Sequence, residues 1–430
     1  MMDIRLSTLE DWLSYLEKLH PKTIDMGLER VKKVRDTLGL KPEFPVITVA
    51  GTNGKGSVCT MLESILNHAS YRVGCYTSPH LLRYNERIRI SQREISDEAL
   101  CEVFAEIEAA RELTHTTLTY FEFGTLAAML LFLRSRIDVA ILEVGLGGRL
   151  DAVNVFDADC AILTSIDLDH MEYLGTTREA IGQEKIGIFR ENRPAICAEP
   201  EIPGSLYKKM LATNANLYCI GEAFSYVADN QQWCYRGISG HRQNLPLPAL
   251  KGRYQLQNAS AVLAALETLE ETLPVPMDAV RRGLVDTALP GRFQMISARP
   301  IIILDVAHNP AAARKLSASL ESMPVKGCTY AVAGMLGDKD MTGTLGALKK
   351  NIDYWLIARL DVARGASEDE MMQALKEAGI EQKDILYTFQ NVWSAYVYAR
   401  DHAGDNDRIC VFGSFYTVSS VMRGLEGLHS

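Results

Sequence analysis

Apolar residues recur at intervals of three and four in Leu9-Trp12-Leu13-Leu16-Leu19 and stop at His20-Pro21, a spacing that predicts a helix covering a core. Phe44–Ala50 reads instead as a buried strand that enters a glycine-rich turn. The apolar helix predicted over Val58–Ala69 and a strand near Val73–Tyr76 follow, completing a βαβ unit. Val139–Val144 and Cys160–Ile166 are further β-branched runs with loop residues directly after their C-terminal ends, so a mostly parallel sheet is expected. Between Tyr218 and Leu247 the pattern weakens and becomes aromatic and polar, consistent with a small antiparallel element.

The character changes at Ala288–Phe293, where Pro290 and Gly291 interrupt regular structure after a helix predicted over Asp278–Leu284. A domain boundary is placed there, giving 1–290 and 291–430. Beyond it, strands at Ile301–Val306, Thr329–Gly334, Tyr354–Ile357 and Arg408–Phe412 alternate with helices near Ala311, Thr342, Glu368, Trp393 and Val418, the pattern of a second α/β domain.

Composition narrows the possibilities. With 430 residues, 47% hydrophobic and 23% charged, the chain can bury more than one core. Its 45 basic and 54 acidic side chains leave a net charge of −9, which speaks against a nucleic-acid partner. Leu126–Leu133, the most continuous apolar stretch, is far short of the roughly 20 residues needed to span a bilayer. The first twenty residues show no apolar segment of the kind a secretory signal needs, and the nine cysteines form no CxxC pair. A cytoplasmic, monomeric protein with reduced thiols and no membrane partner is expected.

The sharpest chemical signal is GTNGKGS at 51–57, between a strand and a helix. Gly51, Gly54 and Gly56 allow close backbone approach, so N–H groups of Gly54–Ser57 can point at phosphate oxygens while Lys55 adds positive charge. Val49 stands where the usual phosphate-loop spacing has its first glycine. A glycine-rich turn needed only for packing is the alternative. Glu143 closes a strand and precedes Gly145, Gly147 and Gly148, a position where a carboxylate can supply a hard oxygen to Mg²⁺; an edge salt bridge is the alternative. His170, after another strand, is a second metal candidate or a general base, against a structural histidine. Ser78 follows a strand on the same sheet edge and offers a hydroxyl to magnesium. Lys185 lies among apolar residues, where an exposed surface lysine is the plain alternative. In the second domain Asp305 and His308 end a strand before Pro310, and Arg292 in the interdomain turn is suited to a nucleotide phosphate or to a salt bridge.

Taken in order, these motifs resemble the folylpolyglutamate synthase and dihydrofolate synthase family of Mur-type ATP-dependent amide ligases. The likeness runs nearly full length through GTNGKGS, YTSPHLLRYNERIRI from Tyr76, TYFEFGT from Thr119, LEVGLGGRLDAVN from Leu142, Asp169-His170, EKIGIFR from Glu184, PGRF from Pro290 and DVAHNP from Asp305. It implies an α/β Mur ligase architecture, with an N-terminal P-loop-type parallel-sheet ATPase domain and a C-terminal Rossmann-like domain. It also implies catalytic roles for Lys55, Glu143, His170 and Lys185, the last carrying a carboxyl group on its side-chain nitrogen. Gly54, Lys55, Gly56 and Ser57 would hold ATP phosphates, and Asn258, Arg292, Asp305 and His308 the nucleotide. Ser78, Glu143 and His170 would bind magnesium. Thr23, Ile24 and Asp25, then Thr119, Tyr120, Phe121 and Glu122, then Leu150, Asp151 and Ala152, match segments that bind the pterin in bifunctional bacterial members. Asp25, Glu122 and Asp151 are expected to accept hydrogen bonds from the pterin, with Tyr120 or Phe121 packing on its face.

The implied reaction adds L-glutamate to 7,8-dihydropteroate and to reduced folates through an acyl phosphate. A folylpolyglutamate synthase alone is the nearest alternative. A switch or transporter ATPase would not need the DH, EKIGIFR and DVAHNP blocks, and a dinucleotide dehydrogenase is disfavoured by Lys55 in the turn.

Overall fold

A computed structural model describes residues 7–229 and 231–428. The chain forms two compact units: one runs through Ala249 and resumes over Leu256–Thr287, and the other takes Leu250–Gln255 and continues from Ala288.

The first unit is built on an eight-stranded sheet. Its order is Arg93–Glu94, Ile88–Ile90, Val73–Tyr76, Val139–Glu143, Val46–Ala50, Cys160–Leu163, Pro194–Cys197 and Asn216–Cys219. Strands from Val73–Tyr76 to Asn216–Cys219 are parallel, and the first two pair antiparallel. The central strands Val46–Ala50, Val139–Glu143 and Cys160–Leu163 are buried at every residue, as strands covered by helices on both faces must be. That is why they read as continuous apolar runs.

The first helix, Leu9–Leu19, buries Leu9, Trp12 and Leu16 and is started by a capping box between Thr8 and Asp11. Thr119 and Glu122 form the same device at the head of Tyr120–Arg134, which buries most of its length and carries the apolar stretch noted above. The expected antiparallel element is a three-stranded sheet of Ser225–Ala228, Gln232–Arg236 and His241–Pro246. It begins later than its composition suggests: Tyr218 belongs to the parallel edge strand Asn216–Cys219, which pairs with Pro194–Cys197.

The second unit holds a six-stranded sheet in the order Gln294–Ala298, Ile301–Leu304, Arg408–Phe412, Thr329–Ala333, Tyr354–Ala358 and Ile385–Phe389. All pairs are parallel except Gln294–Ala298 with Ile301–Leu304. Asn309 caps the helix Pro310–Glu321, whose first residue is the proline, a pairing of cap and preset φ that starts the helix directly after the Asp305–His308 loop. All nine cysteines are free.

Candidate active site

Four adjacent parallel strands deliver the chemistry to one sheet edge. In spatial order they are Val73–Tyr76, Val139–Glu143, Val46–Ala50 and Cys160–Leu163. Their C-terminal ends lead respectively to Ser78, Glu143, the 51–57 loop and the 164–170 turn.

The loop is held open by its own backbone and by that turn. Gly51 has φ +151° and Gly54 φ +97°, conformations that L side chains rarely adopt. A Cβ on Gly51 would come within 1.9 Å of the Thr164 hydroxyl, and one on Gly54 within 2.8 Å of Asn258 Oδ1. Thr52 N–H donates to Ser165 O at 2.8 Å, Asn53 N–H to Ser165 Oγ at 3.0 Å, and Thr164 Oγ1 to Asn53 O at 2.8 Å. The helix Lys55–His68 starts from Gly54 with no side-chain cap, so no capping side chain takes the N–H groups of its first turn. Lys55 Nζ folds back over the loop, donating to Gly51 O at 2.9 Å and Thr52 O at 3.3 Å. Asn258 is thereby placed against the loop.

Glu143 is 4% exposed, and its Oε2 accepts from Ser78 N–H at 3.1 Å. A buried carboxylate and a hydroxyl-bearing residue at one strand edge form an oxygen donor set that suits a hard divalent cation. His170 stands on the turn beyond the neighbouring strand, at φ +50° with Nε2 3.9 Å from Asp169. Among the described residues no three His, Cys, Asp or Glu side chains converge as a ready metal cluster.

Lys185 ends the helix Arg178–Lys185 and is 4% exposed, so the surface-lysine alternative does not hold. Burial first, and then the neighbouring Lys55, lower its pKa from 10.5 to about 7, with Asp169 and Asp151 opposing the shift. The glycine loop after Glu143 explains how the lysine is enclosed. Arg149 N–H donates to Glu184 O at 2.7 Å, and a Cβ on Gly148 would lie 2.9 Å from both the Glu184 and Lys185 carbonyls.

The three segments expected to bind a pterin are arranged as follows. Asp151 is fully buried; Oδ2 accepts from Leu146 N–H at 2.8 Å and Oδ1 from Val153 N–H at 3.1 Å. Burial raises its pKa to about 7 against these bonds. Ala152 is buried and Leu150 half-buried beside it. Phe121 lies with its ring 5.7 Å from Tyr76, and a Cβ on Gly145 would meet that ring at 2.7 Å. Tyr120 packs edge-on to Tyr84 at 5.5 Å, with Arg87 over both rings. Asp25 and Glu122, expected to accept from a pterin, are both approached by protein donors. Arg30 reaches both, and Thr119 N–H donates to Glu122 Oε2 at 2.7 Å. Thr23 is exposed and Ile24 half-buried on the loop ahead of Asp25. Arg30 was not among the sequence candidates, because nothing in the spacing of a polar helix marks which arginine turns inward.

In the second unit Asp305 is buried and accepts from Phe293 N–H and Ala307 N–H, each at 2.8 Å. Burial raises its pKa, while Arg292 and those bonds oppose the shift. The Arg292 guanidinium lies 5.2 Å over the Phe415 ring, and the His308 ring lies 6.3 Å from that same ring. His308 Nδ1 is 2.9 Å from Val306 O. These residues therefore form one polar group around an aromatic face, with Tyr254 electrostatically coupled to Asp305 and Arg292.

Residues 49–266 match the Mur ligase middle domain and residues 291–415 the Mur ligase, glutamate ligase domain. The dihydrofolate synthase/folylpolyglutamate synthase of Escherichia coli K12 is 46% identical over 425 residues, covering 99% of this chain and 97% of its own. That of Haemophilus influenzae is 43% identical and covers 98% of each chain. Among solved structures, E. coli FolC in complex with DHPP and ADP aligns with a TM-score of 0.93 at 47% identity over 99% of both chains. A bifunctional folylpolyglutamate synthase/dihydrofolate synthase with Mn, AMPPNP and L-glutamate bound aligns at 0.90 and 45% identity over 98% of both. With the phosphate loop, the Glu143 edge and these full-length matches together, the chain belongs to the dihydrofolate synthase/folylpolyglutamate synthase family of Mur ligases.

Proposed function

We infer that this chain is an ATP-dependent ligase that joins L-glutamate to 7,8-dihydropteroate, giving dihydrofolate, and to reduced folates, giving folylpolyglutamates. It acts as a monomer in the cytoplasm; no helix among the described residues is long and apolar enough to cross a membrane. The observation that carries the reading is the phosphate loop, with Lys55 folded over it and Glu143 and Ser78 joined on the adjacent strand ends. That arrangement accompanies a bifunctional relative matched over 99% of the chain.

A carboxylate is a poor electrophile because attack on it would have to expel oxide. Transfer of the ATP γ-phosphoryl group to a carboxylate oxygen gives ADP and an acyl phosphate. The glutamate amine then attacks the carbonyl carbon, phosphate leaves, and the amine proton is lost to give the amide. Lys55 and the N–H groups of Gly54–Ser57 hold the phosphates and offset their charge as it redistributes. Ser78, Glu143 and His170 are the proposed ligands for Mg²⁺, which neutralises the phosphoryl oxygens when bound. Lys185, with its lowered pKa, is suited to carry a carboxyl group from CO₂, which turns a cation into an anion in this buried site. Residues 1–290 are proposed as the ATP- and pterin-binding domain and 291–430 as the ligase domain that contributes Arg292, Asp305 and His308.

Purified protein should release phosphate from ATP in a manner dependent on L-glutamate and a folate acceptor. Lys55→Ala should lower that rate roughly 10²-fold or more with an unchanged circular dichroism spectrum. Undiminished turnover in the folded variant would remove the phosphate loop from the mechanism.

A further inference from the structure

Arg30, on the helix Glu29–Thr37, joins two of the three segments assigned to dihydropteroate. Its guanidinium donates to the Asp25 carboxylate at 2.7 Å and to the Asp25 carbonyl at 2.5 Å. It also reaches the two oxygens of Glu122 at 3.1 and 3.5 Å. Glu122 is buried, and its Oε2 also accepts the Thr119 N–H that opens the helix Tyr120–Arg134. On the far side of Asp25, His20 Nε2 lies 3.5 Å from the carboxylate, and its other ring nitrogen accepts Lys22 N–H at 3.1 Å. The protein group common to Asp25 and Glu122 is thus one planar guanidinium. A guanidinium holds two carboxylates in a fixed fork, which an ammonium on a flexible stem does not.

We infer that Arg30 is a positioning residue for dihydropteroate specificity: by bridging Asp25 and Glu122 it fixes the Thr23–Asp25 segment against the start of the Phe121 helix. This rests on the dual specificity proposed above. Dihydropteroate and a reduced folate present their reacting carboxylates at different distances from the pterin. A head-group position built from residues 23–25 and 119–122 therefore serves the shorter acceptor, and loosening it weakens binding of that acceptor first.

The test is a comparison of kcat and KM for 7,8-dihydropteroate and for tetrahydrofolate extension in wild type, Arg30→Ala and Arg30→Lys. Arg30→Ala should raise KM for dihydropteroate at least tenfold relative to KM for tetrahydrofolate, with kcat much less affected, and Arg30→Lys should shift the ratio by a smaller amount in the same direction. If Arg30→Ala does not fold, Arg30→Lys decides, since it keeps a cation near Glu122 without bridging both carboxylates. An unchanged ratio in the folded variants, or parallel losses on both substrates, overturns the Arg30 role alone. A wild-type protein inert toward dihydropteroate overturns the dual specificity and the Arg30 role with it.

Discussion

Burial at Lys185 brings an amine's titration down into the neutral range. At pH 6 an amine with a pKa of about 7 is mostly charged, and at pH 8 mostly neutral, and CO₂ adds only to the neutral form. A carbamate carbon signal from ¹³C-labelled bicarbonate should therefore grow from pH 6 to pH 8 in wild type and be missing in Lys185→Met. The same shift has a consequence for stability in CO₂-free buffer. The unfolded lysine keeps its proton up to its ordinary value of 10.5, whereas the folded one releases it above about 7, so the folded state gains stability as pH rises between those values. The melting temperature of wild type should rise relative to that of Lys185→Met from pH 7 to pH 9; a constant difference would contradict the lowered pKa. None of this burial was legible in sequence spacing. The apolar residues beside Lys185 do not by themselves distinguish it from a surface lysine, and its enclosure comes from the distant Arg149 and Gly148 backbone.

Among the elements, the phosphate loop was the most legible because its requirements are local. A strand, glycines at strained backbone positions, a lysine and a helix start are all contiguous in sequence. What contiguity does not reveal is the partner turn. Gly51 needs to be glycine both for its φ and because Thr164 occupies the space a Cβ would take. Gly51→Ala should therefore destabilise the first unit by about 1–3 kcal/mol and weaken nucleotide binding together, measured by thermal melting with and without ATP. A melting temperature equal to wild type, with full nucleotide-induced stabilisation, would show that the loop relaxes without cost. The short edge strands were the least legible elements. Asn216–Cys219, Gln294–Ala298 and Ile385–Phe389 have four or five residues each; the first and last pair with a strand on the far side of an intervening helix, and Gln294–Ala298 with the strand that follows it.

For the whole molecule, the family follows from blocks spread along nearly the full chain, because each loop that does chemistry carries its own residue fingerprint. The division of labour among the acidic residues was less legible. Asp25 and Glu122 read as pterin acceptors by type, and nothing in the sequence signals that Arg30 also bridges them. This leaves substrate choice as the central claim, and one measurement addresses it directly. Phosphate release from ATP is followed with 7,8-dihydropteroate and with tetrahydrofolate, each with and without L-glutamate. Glutamate-dependent release with both acceptors is the predicted result. Release with tetrahydrofolate but not with dihydropteroate, or release indifferent to glutamate, would contradict it.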